Sequence, residues 1–276
     1  MINKAFLAAT TIVLTMAVTP ALAISCSNTS AGFNKFKNDF AKYAKANGVG
    51  KRGIDALMKS SYSQKTKKFD MRQSRSFKSS GRSKARIEKF YRKKVKNIGG
   101  FGTAKRKMNS MRRTFDRIEK RFGVQREVLT AIWGMETSYG GYTGNIDAMN
   151  SLATLSHDCR RKDLFRRSLL AAMKIIDKGW IKRSKFKGAG HGEIGQTQFM
   201  AENYIKYAVD GNGDGRRDLI GSSADALHSA ANLLARHGWK RMGNYAPGSH
   251  NFRVLNSWNE STAYQHSVAR IAANLK

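Results

Sequence analysis

Proline is the residue that breaks helices most reliably, and this chain of 276 residues holds two, Pro20 and Pro247. Inside a helix a proline removes a backbone donor and clashes with the preceding turn. The long stretch between the two is therefore open to helix throughout. Apolar residues recur there at three- and four-residue spacing, the period of a helix with one buried face. Phe33, Phe36, Phe40 and Tyr43 mark a first helix, and Ile87, Phe90, Tyr91 and Val95 a second. Met108, Met111, Phe115, Ile118 and Phe122 mark a third, which Val128, Leu129, Ile132 and Trp133 follow as a fourth. Leu164, Phe165, Leu169, Met173 and Ile176 give a fifth; Ala226, Leu227, Leu233 and Leu234 a sixth closed by Gly238; Tyr264, Val268 and Ile271 the last. No long alternating run and no internal repeat is visible, so the expected fold is mainly α with little or no β-sheet.

The N-terminus bears on compartment. Lys4 precedes an apolar run from Ala5 to about Val18, then Pro20 and the small-x-small triplet Ala21-Leu22-Ala23. The run falls short of the roughly 20 apolar residues that span a bilayer. Residues 1–23 are expected to be a cleaved secretory signal, with an uncleaved anchor as the alternative. The mature domain would then be a single unit over 24–276, periplasmic and without a transmembrane anchor. The two cysteines, Cys26 and Cys159, are expected to pair in an oxidising compartment. The other reading makes Cys26 a lipidated first residue, but Ala23 stands three positions before it, where such a cysteine usually has a large aliphatic residue.

Lys and Arg number 51 against 19 Asp and Glu, a formal charge of +32. Such a surface is drawn to polyanions: nucleic acid, an anionic membrane or an acidic wall polymer. Export makes nucleic acid the least expected of these. Basic residues are densest over 51–121, read as a loosely packed helical region or as a surface that holds the polymer.

Three segments carry candidate chemistry. In Ile132-Trp133-Gly134-Met135-Glu136-Thr137-Ser138-Tyr139-Gly140-Gly141, Glu136 shares a helix face with Ile132 and Leu129, near an end set by the paired glycines. A carboxyl on the apolar side of a helix is pushed toward its protonated form, the state that donates a proton to a leaving oxygen; a core-edge ion pair is the plainer alternative. Gly188-Ala189-Gly190-His191-Gly192-Glu193-Ile194-Gly195-Gln196-Thr197-Gln198-Phe199-Met200 suits a saccharide groove, with glycines admitting close approach and amides offering donors and acceptors. Asp210-Gly211-Asn212-Gly213-Asp214-Gly215 has EF-hand-like spacing, yet the twelfth position is Gly221 where a bidentate acid is needed. Calcium at Asp210, Asn212 and Asp214 competes with a turn held by Asx hydrogen bonds, and no cofactor is otherwise required.

The Met-Glu-Thr-x-x-Gly stretch, Ser151-Leu152-Ala153-Thr154-Leu155, Gly-Gln-Thr-Gln-Phe-Met, Tyr207-Ala208-Val209-Asp210, Gly-Asp-Gly-Arg-Arg-Asp and His237-Gly238-Trp239 stand in one order over roughly 30–275. This array resembles the lytic murein transglycosylases of the membrane-bound transglycosylase B family. The resemblance implies a lysozyme-like helical fold with a substrate groove. It implies peptidoglycan glycan strands as substrate, cut at the β-1,4 bond between N-acetylmuramic acid and N-acetylglucosamine to leave 1,6-anhydromuramoyl ends, with Glu136 as single acid/base. It further implies groove roles for Gln198, Tyr139, Trp258, Asn259 and Tyr264, and contacts to peptide carboxylates for Arg160 and Arg161. For each of these, packing or a surface ion pair is the alternative. Glu193 is a carboxylate beyond the family pattern, placed to hold His191 or a substrate amide, or to act as a second acid. Ala189 stands where a serine often bonds the catalytic carboxylate, which leaves open what orients Glu136; Ala201 replaces a proline. A hydrolytic muramidase and a non-catalytic basic wall- or polyanion-binding protein are the rival readings.

Overall fold

The computed structural model describes residues 24–79 and 83–276. The expected signal segment, 1–23, lies outside the described residues. The chain forms α1 (Phe33–Ala46), α2 (Lys51–Met58), α3 (Gln64–Ser79), α4 (Lys84–Asn97), α5 (Gly100–Ser110), α6 (Arg112–Phe122) and α7 (Arg126–Thr137). After a two-residue strand β1 (Ile146–Asp147) come α8 (Ala148–His157), α9 (Lys162–Asp177), β2 (Lys187–Gly188), α10 (Ala201–Tyr207), α11 (Ser223–Arg236), α12 (His250–Val254) and α13 (Thr262–Ala273).

Helix α7 is the hub. Its residues 128–135 are all buried, as expected of a helix apolar on every side. It packs against α4, α5, α6, α11 and α13. A second group gathers on α9, which meets α2, α8 and α10, while α1 and α3 lie on α8. Helix starts follow side-chain chemistry. Asp147, Ser222 and Ser261 accept from the backbone N–H of Asn150, Asp225 and Tyr264 at the heads of α8, α11 and α13, satisfying donors that a helix N-terminus leaves free. The strands pair antiparallel with Ile146 opposite Gly188, a short clasp tying the segment after α7 to the glycine-rich loop.

Three details differ from the sequence expectation. The third stripe is two helices, because Met111 leaves helical geometry at φ −107° between α5 and α6. Tyr43, placed on the buried stripe of α1, is 43% exposed. Within the basic region 51–121, Ala56, Leu57, Ala104, Phe115 and Ile118 sit in the common core, so the helices that carry them are not loosely packed. Among the residues of this region whose burial is described, the lysines and arginines lie on the outer faces, as an amphipathic helix requires, except Lys67 and Lys94, which are partly buried.

Cys26 and Cys159 are joined in a disulfide. The segment before α1 is held further by Ser27 N–H to His157 O at 2.8 Å and by Arg166 Nη2 to Ile24 O at 2.9 Å. No helix among the described residues is long and apolar enough to cross a membrane.

Candidate active site

Glu136 lies in the last turn of α7, and its carboxyl opens into a cleft of about 240 Å³. Glu193, Gln198, Phe199, Met200, Asn203, Leu233, Trp258 and Asn259 complete the lining. The helix stops at Thr137, before the paired glycines, because Ser138 and Tyr139 turn left-handed at φ 50° and 63°. That turn decides the fate of Tyr139. Its ring is buried, edge-on to Trp133 at 5.3 Å between centroids. It is a packing residue rather than a platform for a sugar.

Two donors converge on one oxygen of Glu136. Tyr264 OH donates to Oε1 at 2.6 Å and Trp258 Nε1 donates to the same atom at 3.3 Å. They come from the C-terminal segment around α13. They answer the question left by Ala189: the carboxyl is oriented by a phenol and an indole across the cleft. Among the described residues no donor reaches Oε2. Burial pushes the Glu136 carboxyl above the usual carboxylate range; the Tyr264 hydroxyl, the Lys94 charge and the Trp258 N–H act the other way, and the Glu193 charge adds to the rise. Lys94, from α4, donates to Met135 O at 2.8 Å, and burial lowers its pKa.

The motif residues around Glu136 brace the site. Thr137 Oγ1 donates to Gln196 O at 2.6 Å, and Trp133 Nε1 to Gln196 Oε1 at 2.9 Å. The glycine-rich loop is thereby fixed to α7, and Gln198 two residues on is presented to the cleft. Its Nε2 donates to Gly195 O and Thr143 O at 2.9 and 3.1 Å, which leaves its carbonyl oxygen for a ligand. The loop glycines answer to internal packing, not to saccharide approach. A Cβ on Gly188 would lie 1.8 Å from Glu193 O, on Gly190 2.5 Å from the Phe69 ring, and on Gly192 2.4 Å from Leu152.

Glu193 is held at its own end of the loop. Its Oε2 accepts from His191 N at 3.0 Å and its Oε1 lies 3.3 Å from His191 Nδ1. Burial raises its pKa, but the bonds from His191 outweigh that and hold the carboxyl below the usual range. An ionised carboxylate is the wrong state for a second proton donor. His191 Nε2 in turn lies 3.1 Å from Asp70 Oδ1. Buried Asp70 also takes Arg160 Nη2 at 2.6 Å and pairs with Arg161. The two arginines thus clamp α3 to the start of α9, instead of standing free for peptide carboxylates. Asn259 lines the cleft, with its Oδ1 accepting from Ser261 N at 2.9 Å.

Phe199 belongs to the segment expected at the groove and does line the cleft, whereas Asn203, Leu233 and Lys94 were not foreseen there. Phe199 packs edge-on against Trp258 at 5.5 Å, so it sets the wall that places the indole. Nothing in the sequence separates Lys94 from the many lysines around it.

The acidic loop is compact. Asp210 accepts from Gly213 N and Gly215 N, each at 2.7 Å. Asp225, in the first turn of α11, accepts from Gly211 N and Asn212 N at Oδ1 and from Asp218 N at Oδ2, which ties the loop to that helix. One carboxylate oxygen each from Asp210, Asp214 and Asp225 lies within 4.8 Å of the others, an all-oxygen set suited to a hard cation.

Residues 32–248 match the family described as Transglycosylase SLT domain. The membrane-bound lytic murein transglycosylase B of Escherichia coli K12 is 35% identical over 119 residues, 43% of this chain and 33% of that protein. The aligned stretch thus spans about a third of the curated relative's length. Among solved structures, SltB3 from Pseudomonas aeruginosa in complex with NAG-anhNAM-pentapeptide superposes with TM-score 0.77 at 25% identity, over 88% of this chain and 79% of that one. The Escherichia coli lytic transglycosylase Slt35 in complex with bulgecin A gives 0.75 at 21% identity, over 91% and 96%.

Proposed function

Because the chain belongs to the Transglycosylase SLT domain family, we propose that it is a peptidoglycan lytic transglycosylase that cuts glycan strands without water. The observation that carries this is Glu136, a carboxyl whose pKa burial raises above the usual carboxylate range and which is oriented through one oxygen only. The other oxygen faces the cleft, where a glycosidic oxygen must receive a proton as it departs. Hydrolytic glycosidases pair such an acid with a second carboxylate that serves as base or nucleophile. Here the other cleft carboxylate, Glu193, is bound up with His191, which favours a substrate-supplied nucleophile over hydrolysis.

The step balances on one residue. Glu136 gives its proton to O4 of the departing N-acetylglucosamine as the C1–O4 bond breaks. The 2-acetamido group stabilises the positive anomeric carbon. Glu136, now ionised, takes the proton from the muramoyl C6 hydroxyl while O6 bonds to C1. The acid is regenerated, and the product carries a 1,6-anhydro end. Mass analysis of digested sacculi tests this: anhydro products are lighter by one water than a muramidase's and lack a reducing end. Products of full hydrolytic mass would sink it.

Tyr264→Phe removes the shorter bond to Glu136 while keeping the ring. That bond favours the ionised carboxyl, so its loss raises the pKa of Glu136 further. The alkaline limb of the kcat/KM profile is expected to move to higher pH, with the plateau about tenfold lower from poorer orientation. An unmoved limb would show that Tyr264 does not touch the titrating group.

We also propose that the domain acts in the periplasm, exported by residues 1–23, and that the loop of Asp210, Asp214 and Asp225 takes calcium, Asn212 adding an amide oxygen. The cation would brace the start of α11 and supply no catalytic chemistry. Millimolar calcium is then expected to raise the melting temperature, as ligand binding to the native state requires, and Asp225→Asn should abolish the rise. An equal rise with magnesium would mean a general salt effect.

A further inference from the structure

A second surface carries recognition chemistry that the cleft does not use. Helix α9 closes at Gly179, left-handed at φ 72°, with Trp180 N–H bonded to Ile175 O at 3.1 Å. This sharp stop turns Trp180 outward, 38% exposed, in a protein that buries its other tryptophans more deeply. The indole is propped by Tyr204, stacked at 6.2 Å, and flanked by Lys178 Nζ at 5.1 Å and Arg217 Cζ at 5.6 Å from its centroid. It stands in a hollow of about 750 Å³ with Lys182, Lys185, Arg216 and Arg217. Among the described residues none of these four cations is in an ion pair. The one acid in that lining, Asp218, is occupied by the N–H groups of Ile220 and Gly221. A neighbouring hollow of about 330 Å³ shares Gly179, Ile181 and Lys182 and is lined further by Arg52, Lys59, Arg183 and Asp55, the last paired with Lys51. The two adjoin as one basic furrow. No residue lines both furrow and cleft; α10 separates them, with Asn203 lining the cleft and Tyr204 beneath Trp180.

We propose that this furrow is a second binding site for a peptide-bearing glycan strand, a sugar ring packing on Trp180 and stem-peptide carboxylates meeting Lys182, Lys185, Arg216 and Arg217. The proposal rests on the peptidoglycan reading above. Two adjoining hollows, of about 750 and 330 Å³, offer more room than a small anion fills. Unpaired cations supply the charge that carboxylates need. A single aromatic fits a saccharide better than a nucleic acid, because successive bases need a series of stacking platforms and Trp180 is the one aromatic ring in the two linings. The site retains the enzyme on its insoluble substrate without taking part in the bond cleavage.

The test scores binding apart from cleavage. In a Glu136→Gln background, Trp180→Ala and, separately, the double change Lys182→Glu with Lys185→Glu are sedimented with purified sacculi at graded salt. Each is expected to weaken binding about tenfold, equivalent to roughly 1.4 kcal/mol, and the charge variant should flatten the salt dependence. In the otherwise unaltered chain the same changes should leave cleavage of a short soluble muropeptide intact. The lysine variant guards against Trp180→Ala acting through lost packing on Tyr204. Binding of both variants at the parent's affinity overturns the proposal, as does loss of affinity for a DNA oligonucleotide with sacculus binding unchanged. If the unaltered chain fails to cut sacculi, the enzyme assignment falls, and the binding result still stands or falls by itself.

Discussion

A Glu136→Gln variant is expected to lose about a thousandfold or more of its cleavage of purified sacculi while keeping its fold. General acid catalysis by a positioned side chain contributes on the order of 10²–10⁴ in rate, and here one residue serves both as acid and as base. Glutamine keeps the shape and still accepts from Tyr264 and Trp258 but has no proton of comparable acidity to give. Near-normal cleavage by this variant would remove Glu136 from the mechanism. The same substitution makes an opposite prediction for stability. Burial raises the pKa of Glu136 in the folded state. Below the ordinary Glu value of about 4.3 both states hold the proton, and the variant gains little. Above it the unfolded chain releases the proton while the folded chain keeps it, so wild-type stability falls as pH rises until the raised native pKa is passed. Calorimetry should therefore show Glu136→Gln melting close to wild type near pH 4 and above it near pH 7. A gap that shrinks toward neutral pH would contradict the burial.

The second large effect concerns Cys26–Cys159, a bridge with a sequence separation of 133. A loop of that size restrains the unfolded chain strongly; the chain-entropy argument gives about 5 kcal/mol, and measured losses of native bridges run at roughly 2–5 kcal/mol. Cys26→Ser with Cys159→Ser is expected to lower stability by that order in chemical denaturation. The backbone bonds from Ser27 and Arg166 hold the segment locally, so activity at low temperature should survive. A double-serine protein with an unchanged denaturation midpoint would show that the bridge does not form in the native chain.

The helical class and the position of Glu136 were legible because both rest on local spacing: sparse proline, a three-four repeat, and a carboxyl in register with Leu129 and Ile132. What was not legible depended on distant partners or on a single turn. The resemblance places Tyr264 and Trp258 at the groove, but not their bonds to Glu136, which lies 128 and 122 residues away with no local signal coupling them. Tyr139 follows the acid closely in sequence, but the left-handed turn after Thr137 sends its ring inward. The resemblance assigns Arg160 and Arg161 to peptide carboxylates, with an ion pair as the alternative, and their partner Asp70 lies in a distant, strongly basic part of the chain. The glycines of the 188–195 loop were read as room for a sugar, when the space they spare belongs to Phe69, Leu152 and the loop's own backbone. Asp225, the third acid near Asp210 and Asp214, falls beyond the EF-hand spacing, so position counting ended on Gly221.

The donors to Glu136 come from the last part of the chain, and this gives the enzyme a built-in order of assembly. Synthesis delivers α7 well before α13, so the Glu136 carboxyl exists for a time without its phenol and indole. On the proposed mechanism, a nascent or truncated polypeptide would carry the acid unaligned, and cleavage would begin only when α13 docks.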